Sequence, residues 1–455
     1  MNPSRSRPTK RATLTGPAPW RSPTTVRPTQ RRFKPVFVSK RNFRSARRRA
    51  KVRSSSKYLL AALILVSAVL IFVNNRGSNN PPLAQNQPQP STNNQASSQS
   101  TSAQNTTPIS TESGFDFVAF GDMIPHETVV SSAKEPGGGY NFQKLIAGGL
   151  KSSFQKAPLR FCNHEATSSP AIGVRGYPAF NAPTQFTKDL ASFGCNIFSV
   201  GNNHINDYSQ AGIDATLEQI QATNPLAVSG ANSSDSQQQK LQITTYAGIK
   251  VGFTSFNQES NNPPQNEYSI NMLSNSRLLE SQLKSLRQQS DVVIVSVHWG
   301  REDSATPTEL QKKYAQQIAD LGADIIIGTG PHVWQPYQNL TRADGKTSHV
   351  WYSIGNGLNS QTSADQLFSA MAIMHIAKDS SGKVQITNPR ILPTYVHYSW
   401  AVPGILSSRS ALSWGTLSES ANLISSRNDF ITSADEQLTK LKTTLGPDVT
   451  SLQSY

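Results

Sequence analysis

Residues 196–216 read NIFSVGNNHINDYSQAGIDAT. The run Asn196–Val200 is short, apolar and strand-like, and Gln210–Ala222 returns apolar residues at helical spacing. Between them lie Asn202, Asn203, His204 and Asp207. A strand that passes through a short loop into a helix is the building unit of an α/β sheet, and such sheets bind ligands beyond the carboxyl ends of their strands. The polar cluster therefore sits where a site belongs.

The same alternation extends both ways. Upstream, Phe115–Phe120 and Leu159–Cys162 read as strands, with helical patterns at Phe142–Phe154 and Thr184–Phe193. Downstream, strands at Ile249–Phe256, Val292–Val297 and Ile325–Ile327 alternate with helices at Leu278–Arg287 and Leu310–Leu321. After Gly330 the pattern changes to hairpins at Val350–Ile354, Ala370–Ile376, Val384–Ile386 and Leu392–Tyr398. Beyond about residue 400 the chain is polar, with a weak helix at Ala434–Leu445. The expected fold class is α/β, with a core domain at 114–400 and a carboxyl-terminal extension at 401–455.

Four more apolar strands end in residues that bind metals. GDMIPH supplies Asp122 and His126, NHE supplies Asn163, His164 and Glu165, HWGRE supplies His298 and Glu302, and GTGPH supplies His332. Five of the eight histidines fall at these strand ends. A mixed His/Asp/Glu/Asn set suits a divalent ion such as Zn, Mn or Fe, with a carboxylate free to bridge two. Two such ions would activate a water and clamp a leaving oxygen, so the residues by themselves indicate a metal-dependent hydrolase or a sheet descended from one. No G-x-S-x-G elbow or P-loop competes with this reading. The chain's two cysteines, Cys162 and Cys195, are staggered along neighbouring strands, which favours buried thiols over a disulfide.

The amino-terminal quarter differs in kind. Residues 1–57 hold 18 Lys and Arg and no acid, so the formal charge of +15 belongs to this tail. The remainder, with 25 basic and 28 acidic residues, is mildly acidic, which argues against nucleic-acid binding by the folded domain. Tyr58–Val73 carries no charge and, extended to residue 75, is a short membrane span. The flanking Lys and Arg place the amino terminus in the cytoplasm and the rest outside: a single-pass cell-membrane protein with an uncleaved anchor. Residues 76–113, rich in Asn, Gln, Ser and Pro, read as a disordered tether.

Six stretches, in order, resemble the CapA (poly-γ-glutamate capsule synthesis) family, whose fold is a calcineurin-like metallophosphatase α/β sandwich. They are GDMIPH at 121–126, NHE at 163–165, GNNHINDYSQAGIDAT at 201–216, HWGRE at 298–302, GTGPHVWQ at 328–335 and YSIGN at 352–356. The resemblance implies Asp122, Glu165, Asn203, His298 and His332 as the metal-facing set for one or two ions. It implies His204 with Asp207 as an acid–base or supporting pair, and Glu302 at the pocket rim. It also implies a part in making or exporting an anionic polymer such as poly-γ-glutamate, beside membrane synthase or export subunits. That part is either metal-dependent hydrolysis or non-enzymatic polymer binding; a phosphoesterase is a further alternative. The chain departs from the family pattern at Thr329 and Gly330, where two histidines are frequent, and at Ser209, where glycine is usual. His164 replaces an apolar residue and is expected to face solvent.

Overall fold

The computed structural model describes residues 114–427, 429 and 432–455. The basic tail, the apolar run and the tether expected at 1–57, 58–75 and 76–113 lie outside them. Among the described residues, no helix is long and apolar enough to cross a membrane.

Two sheets stack with helices on their outer faces. The strands are β1 (Gly114–Met123), β2 (Leu159–His164), β3 (Ile197–Ser199), β4 (Ala227–Ser229), β5 (Gln242–Tyr246), β6 (Ile249–Asn257), β7 (Val292–His298), β8 (Ile325–Thr329), β9 (Tyr337–Thr341), β10 (Thr347–Trp351), β11 (Phe368–Lys378), β12 (Val384–Trp400), β13 (Arg409–Thr416) and β14 (Thr450–Ser451). The first sheet runs β13-β12-β11-β1-β2-β3-β4, with β14 beside β12; the second runs β5-β6-β7-β8-β10-β9. β1 to β4 are mutually parallel, as are β6, β7, β8 and β10. Their near-continuous Val, Ile and Phe runs follow from burial on both faces. Phe117, Phe161 and Ile197 of the first sheet share one core layer with Val251, Ile294 and Ile325 of the second. This is the α/β sandwich that the sequence implies.

Three expectations change. The segment after residue 400 is part of the domain and not an extension. β13 pairs with β12, and the fully buried Trp414 packs 4.7 Å from Phe120 and 5.3 Å from Phe193. Its serines obscured the strand alternation. Val384–Ile386 and Leu392–Tyr398 are one strand of 17 residues, whose apparent break at Asn388–Pro389 is a local irregularity, with Asn388 at φ 52°. Cys162 and Cys195 form a disulfide, with their Cα atoms 5.8 Å apart. Cys195 is not on β3. It lies in the turn after Gly194, whose φ of 136° only glycine adopts readily, so an argument from strand stagger does not apply to it.

Candidate metal centre

The two sheets contribute opposite walls of the site. Asp122 and Asn163 are the penultimate residues of β1 and β2, with Glu165 just beyond β2; β7 of the other sheet ends in His298, and the loop after β8 carries His332. A seam of backbone bonds holds the sheets together here. Asp122 N–H donates to Gly355 O at 3.2 Å, and Gly357 N–H donates to Asp122 O at 3.0 Å. A Cβ at Gly121 would lie 1.9 Å from Gly355 O, so only glycine permits this approach.

One ligand atom each from Asp122, Glu165 and His298 lie within 4.8 Å of one another, all buried. His332 joins them: its Nδ1 is 3.0 Å from Asp122 Oδ2, and its Nε2 is 3.9 Å from Glu165 Oε1. His332 holds a φ of 62°, an uncommon backbone state of the kind that concentrates at functional sites.

Burial would raise the Asp122 pKa, but the hydrogen bond and charge of His332, with the charge of His298, outweigh it and hold the group at about 2. Burial drives Glu165 well above the usual carboxylate range, reinforced by the charges of Asp122, Glu302 and Asp207. His298 is lowered to about 4 by burial. His332 is raised: its bond to Asp122 overcomes the burial that opposes it. Glu165 and His332 are thus the two groups of the site that their surroundings push toward the protonated form.

Three supporting groups stand beside the expected set: Asn163, which the sequence offered at a strand end without a role, and Thr329 and Asn356, which it did not offer. Asn163 Nδ2 donates to Asp122 Oδ1 at 2.7 Å and lies 3.4 Å from both Glu165 Oε2 and His298 Nδ1. Thr329 Oγ1 is 3.0 Å from His298 Nδ1, so the residue standing in place of a family histidine orients another. Asn356 Oδ1 is 3.1 Å from His332 Nδ1. The NHE, GTG and YSIGN stretches contained all three; what was missing was the knowledge of which side chains turn inward.

The remaining expected residues sit around this centre. Asn203 lines a small cleft with Gln258, His298, Glu302 and Gly330, and its buried Oδ1 accepts no hydrogen bond. Glu302 is exposed at that cleft's rim. His204 Nδ1 is 2.8 Å from Asp207 Oδ2, which also accepts from Phe180 N–H at 2.8 Å. The His204 ring stands edge-on to Phe180 at 4.7 Å, and His126 packs on Phe180 at 5.3 Å. His164 does not face solvent. Strand alternation turns Asn163 and Glu165 toward the centre and His164 away from it, into full burial against Thr187 Oγ1 at 2.9 Å and Ala166 O at 3.1 Å.

The donor chemistry fits a divalent ion. Two buried carboxylates and an imidazole converge, no Lys or Arg among the described residues pairs with either carboxylate, and an amide oxygen nearby lacks a partner. Gly330 has no side chain to bind an ion, but its N–H donates to Asp122 Oδ2 at 3.1 Å. Its φ is 104°, and a Cβ there would meet Trp299 O at 2.9 Å and His298 Nε2 at 3.1 Å.

Residues 116–361, just over half of the chain, match the family described as bacterial capsule synthesis protein PGA_cap. The chain belongs to that family. This PGA_cap member is 25% identical over 219 residues to the PGA biosynthesis protein CapA of Bacillus subtilis (strain 168), covering 48% of this chain and 55% of that one. It is 25% identical over 214 residues to the capsule biosynthesis protein CapA of Bacillus anthracis, covering 45% and 50%. The match thus spans about half the length of these curated relatives. Among solved structures, it is similar to Haemophilus influenzae NAD nucleotidase at 11% identity and a TM-score of 0.39, covering 75% of this chain and 58% of that one. It is also similar to a hypothetical protein from Thermus thermophilus at 13% identity and a TM-score of 0.38, covering 61% and 99%. Both likenesses are remote.

Proposed function

We propose that this protein is a membrane-anchored envelope component of capsule synthesis, whose outer domain holds a divalent ion and hydrolyses an anionic polymer of the poly-γ-glutamate type at its amide bonds. One observation carries the proposal: Asp122, Glu165 and His298 are buried together without a balancing Lys or Arg, at the edge of a cleft. A disulfide in the same domain supports an oxidising, extracytoplasmic location.

Asp122, Glu165 and His298 would hold the ion, with Asn203 Oδ1 and His332 beside them. When bound, the ion would supply Lewis-acid polarisation of the scissile carbonyl. Asn163 fixes the two carboxylates through one amide, and Thr329 fixes the His298 ring. Asp207 orients His204, leaving Nε2 as the ring atom that exchanges a proton with the leaving amine. Glu302 at the rim is placed to meet the polymer and to take up or release a proton there.

The test is elemental analysis of the purified full chain, with assay of new amine ends from poly-γ-glutamate. Near-stoichiometric Zn, Mn or Fe, together with cleavage that chelation abolishes, is expected. A domain that binds no ion after reconstitution would sink the proposal. The absence of imidazoles at Thr329 and Gly330 favours a second reading, in which the cleft grips polymer without cutting it. Polymer binding with stoichiometric metal and no amine release would select that reading.

A further inference from the structure

β12 is antiparallel to β11, which is antiparallel to β1, so β12 ends at the same edge as Asp122. Beyond it the chain reads Trp400-Ala401-Val402-Pro403-Gly404-Ile405-Leu406, seven residues without a charge. Val402, Ile405 and Leu406 expose 49%, 53% and 55% of their surface, together on one tip. Of the other large exposed apolar residues, Val174 and Tyr177 share the loop after β2 and Leu310 stands after β7, whereas Leu226 before β4 and Tyr246 at the end of β5 lie at the opposite edge.

The polar groups of Trp400, Val402, Ile405 and Ser408 are turned inward. Ile405 N–H donates to Val402 O at 3.0 Å, and Trp400 Nε1–H donates to Ile405 O at 3.0 Å. Val402 N–H donates to Ser408 Oγ at 3.0 Å, and that hydroxyl is 3.0 Å from Val402 O and 2.8 Å from Ile405 O. A loop that pairs the backbone of Val402 and Ile405 internally and presents aliphatic side chains suits hydrocarbon, where unpaired amides are costly. It offers no free strand edge to a protein partner. Trp400, at the loop's base, is the residue type enriched at the headgroup level. Arg409, beneath it, lies 5.9 Å from the Trp400 ring and donates to Ser360 O, while Ser360 N–H donates to His126 Nδ1 at 3.3 Å. The tip is thus tied to the rim of the metal centre.

We infer that Val402, Ile405 and Leu406 dip into the outer face of the lipid bilayer and turn the cleft edge toward the membrane. The inference rests on the proposed anchoring through residues 58–75. Residues 76–113 would be long enough for it: 38 residues in coil give a root-mean-square span of about 35 Å, and about 125 Å when fully extended. The cleft would then meet polymer as it emerges at the membrane surface, before release into the envelope.

The full chain, with Ile405→Cys carrying an environment-sensitive fluorophore, is reconstituted into phospholipid vesicles with and without doxyl-labelled lipids. Both native cysteines are paired with each other, so the added thiol is the one that reacts. Leu406→Cys is the duplicate position and Leu226→Cys the control. Blue-shifted emission at 405 and 406, most of it lost to doxyl lipid, with the label at 226 unaffected, is the expected result. Equal response at 405 and 226, or energy transfer between 405 labels on different copies without doxyl quenching, overturns it; the latter would mean the tip meets a second copy. Vesicle flotation separates the two readings. A chain that floats yet shows no quenching at 405 refutes the dipping loop alone, whereas a chain that fails to float refutes the anchor and the loop together.

Discussion

Asp116 and Asp122 lie on the same strand, at opposite edges of the sheet, and each touches a histidine. Asp116 bonds His375 Nδ1, Arg390 Nη2 and Tyr455 Oη, each at 2.8 Å, and keeps some solvent contact. Asp122 is fully buried, shares its pocket with a second carboxylate and, among the described residues, meets no arginine or lysine. The first cluster is closed in charge: the Arg390 guanidinium balances the carboxylate, and Tyr455 and His375 fill its remaining positions. The second is left electrically incomplete, which is costly for folding and useful for holding a cation. The same residue types thus form an ion-paired cluster at one edge and an unbalanced one at the other, and charge compensation tells them apart.

The sharpest way to break this contrast is to neutralise each aspartate in turn. Asp122→Asn should weaken ion binding by more than the 10–100-fold typical of losing a supporting contact, read by calorimetry. Asp116→Asn should leave that affinity unchanged and cost about 1 kcal/mol of stability, because its ion pair is partly screened. Equal losses of affinity would abolish the distinction.

Next in size is the covalent brace behind the metal edge. Cys162→Ser with Cys195→Ser opens a link across 33 positions, worth about 3–4 kcal/mol on the loop-entropy account. Because Cys162 adjoins Asn163, ion affinity should fall along with the melting temperature. A variant that melts lower yet binds as before would show that β2 is held by its pairing alone.

Gly330 comes third. Sequence comparison alone makes Gly330→His attractive as a restored ligand, but the φ of 104° and the 2.9 Å approach to Trp299 O reverse that expectation. Gly330→Ala should cost about 1–2 kcal/mol and weaken ion binding by disturbing His298. Retained stability with tighter binding would restore the simpler idea.

The smallest effect has the opposite sign. Glu165→Gln removes a buried, strained carboxylate, so the metal-free protein should gain about 1 kcal/mol, or roughly 2–4 °C, while losing its ion. The pH profile carries the same signature. Above the ordinary carboxylate range the unfolded chain has released the Glu165 proton while the folded one keeps it, so metal-free stability falls as pH rises toward the raised value. Burial holds His126 at about 3, and His164 and His349 at about 4. The unfolded chain therefore takes up protons first as pH drops from about 6.5, and stability falls across that window. Chemical denaturation across pH should find the alkaline-side loss missing in Glu165→Gln and the acid-side loss intact. Ion affinity should weaken as pH falls, because Glu165 and His332 must shed protons to admit the ion.

The sequence made the alternating elements and the strand-end residues legible because both depend on local pattern. The boundaries of Thr184–Phe193 and Ala434–Leu445 match the helices formed. Short β4 and β5 escaped, being three and five residues long with little alternation to detect. Asp122, Glu165 and His298 were legible as a set from their positions after strands. Which neighbours turn inward was not: Asn163 was noted at its strand end but given no part in the metal-facing set, and His164 was placed in solvent although it is buried. Side-chain direction at a strand end depends on the bulge between Phe120 and Asp122 and on the seam at Gly355, both long-range features.

Asp122 and Glu165 belong to one sheet, His298 and His332 to the other. An ion seated among them would be a rivet through both layers. Loading it should therefore be felt well beyond the cleft, as slower amide exchange along the Asp122–Gly357 seam and as a single, more cooperative opening of two sheets that could otherwise breathe apart. The shared core and the Asp122 seam already join the sheets, so the ion's share would be read as the extra protection of that seam that chelation removes.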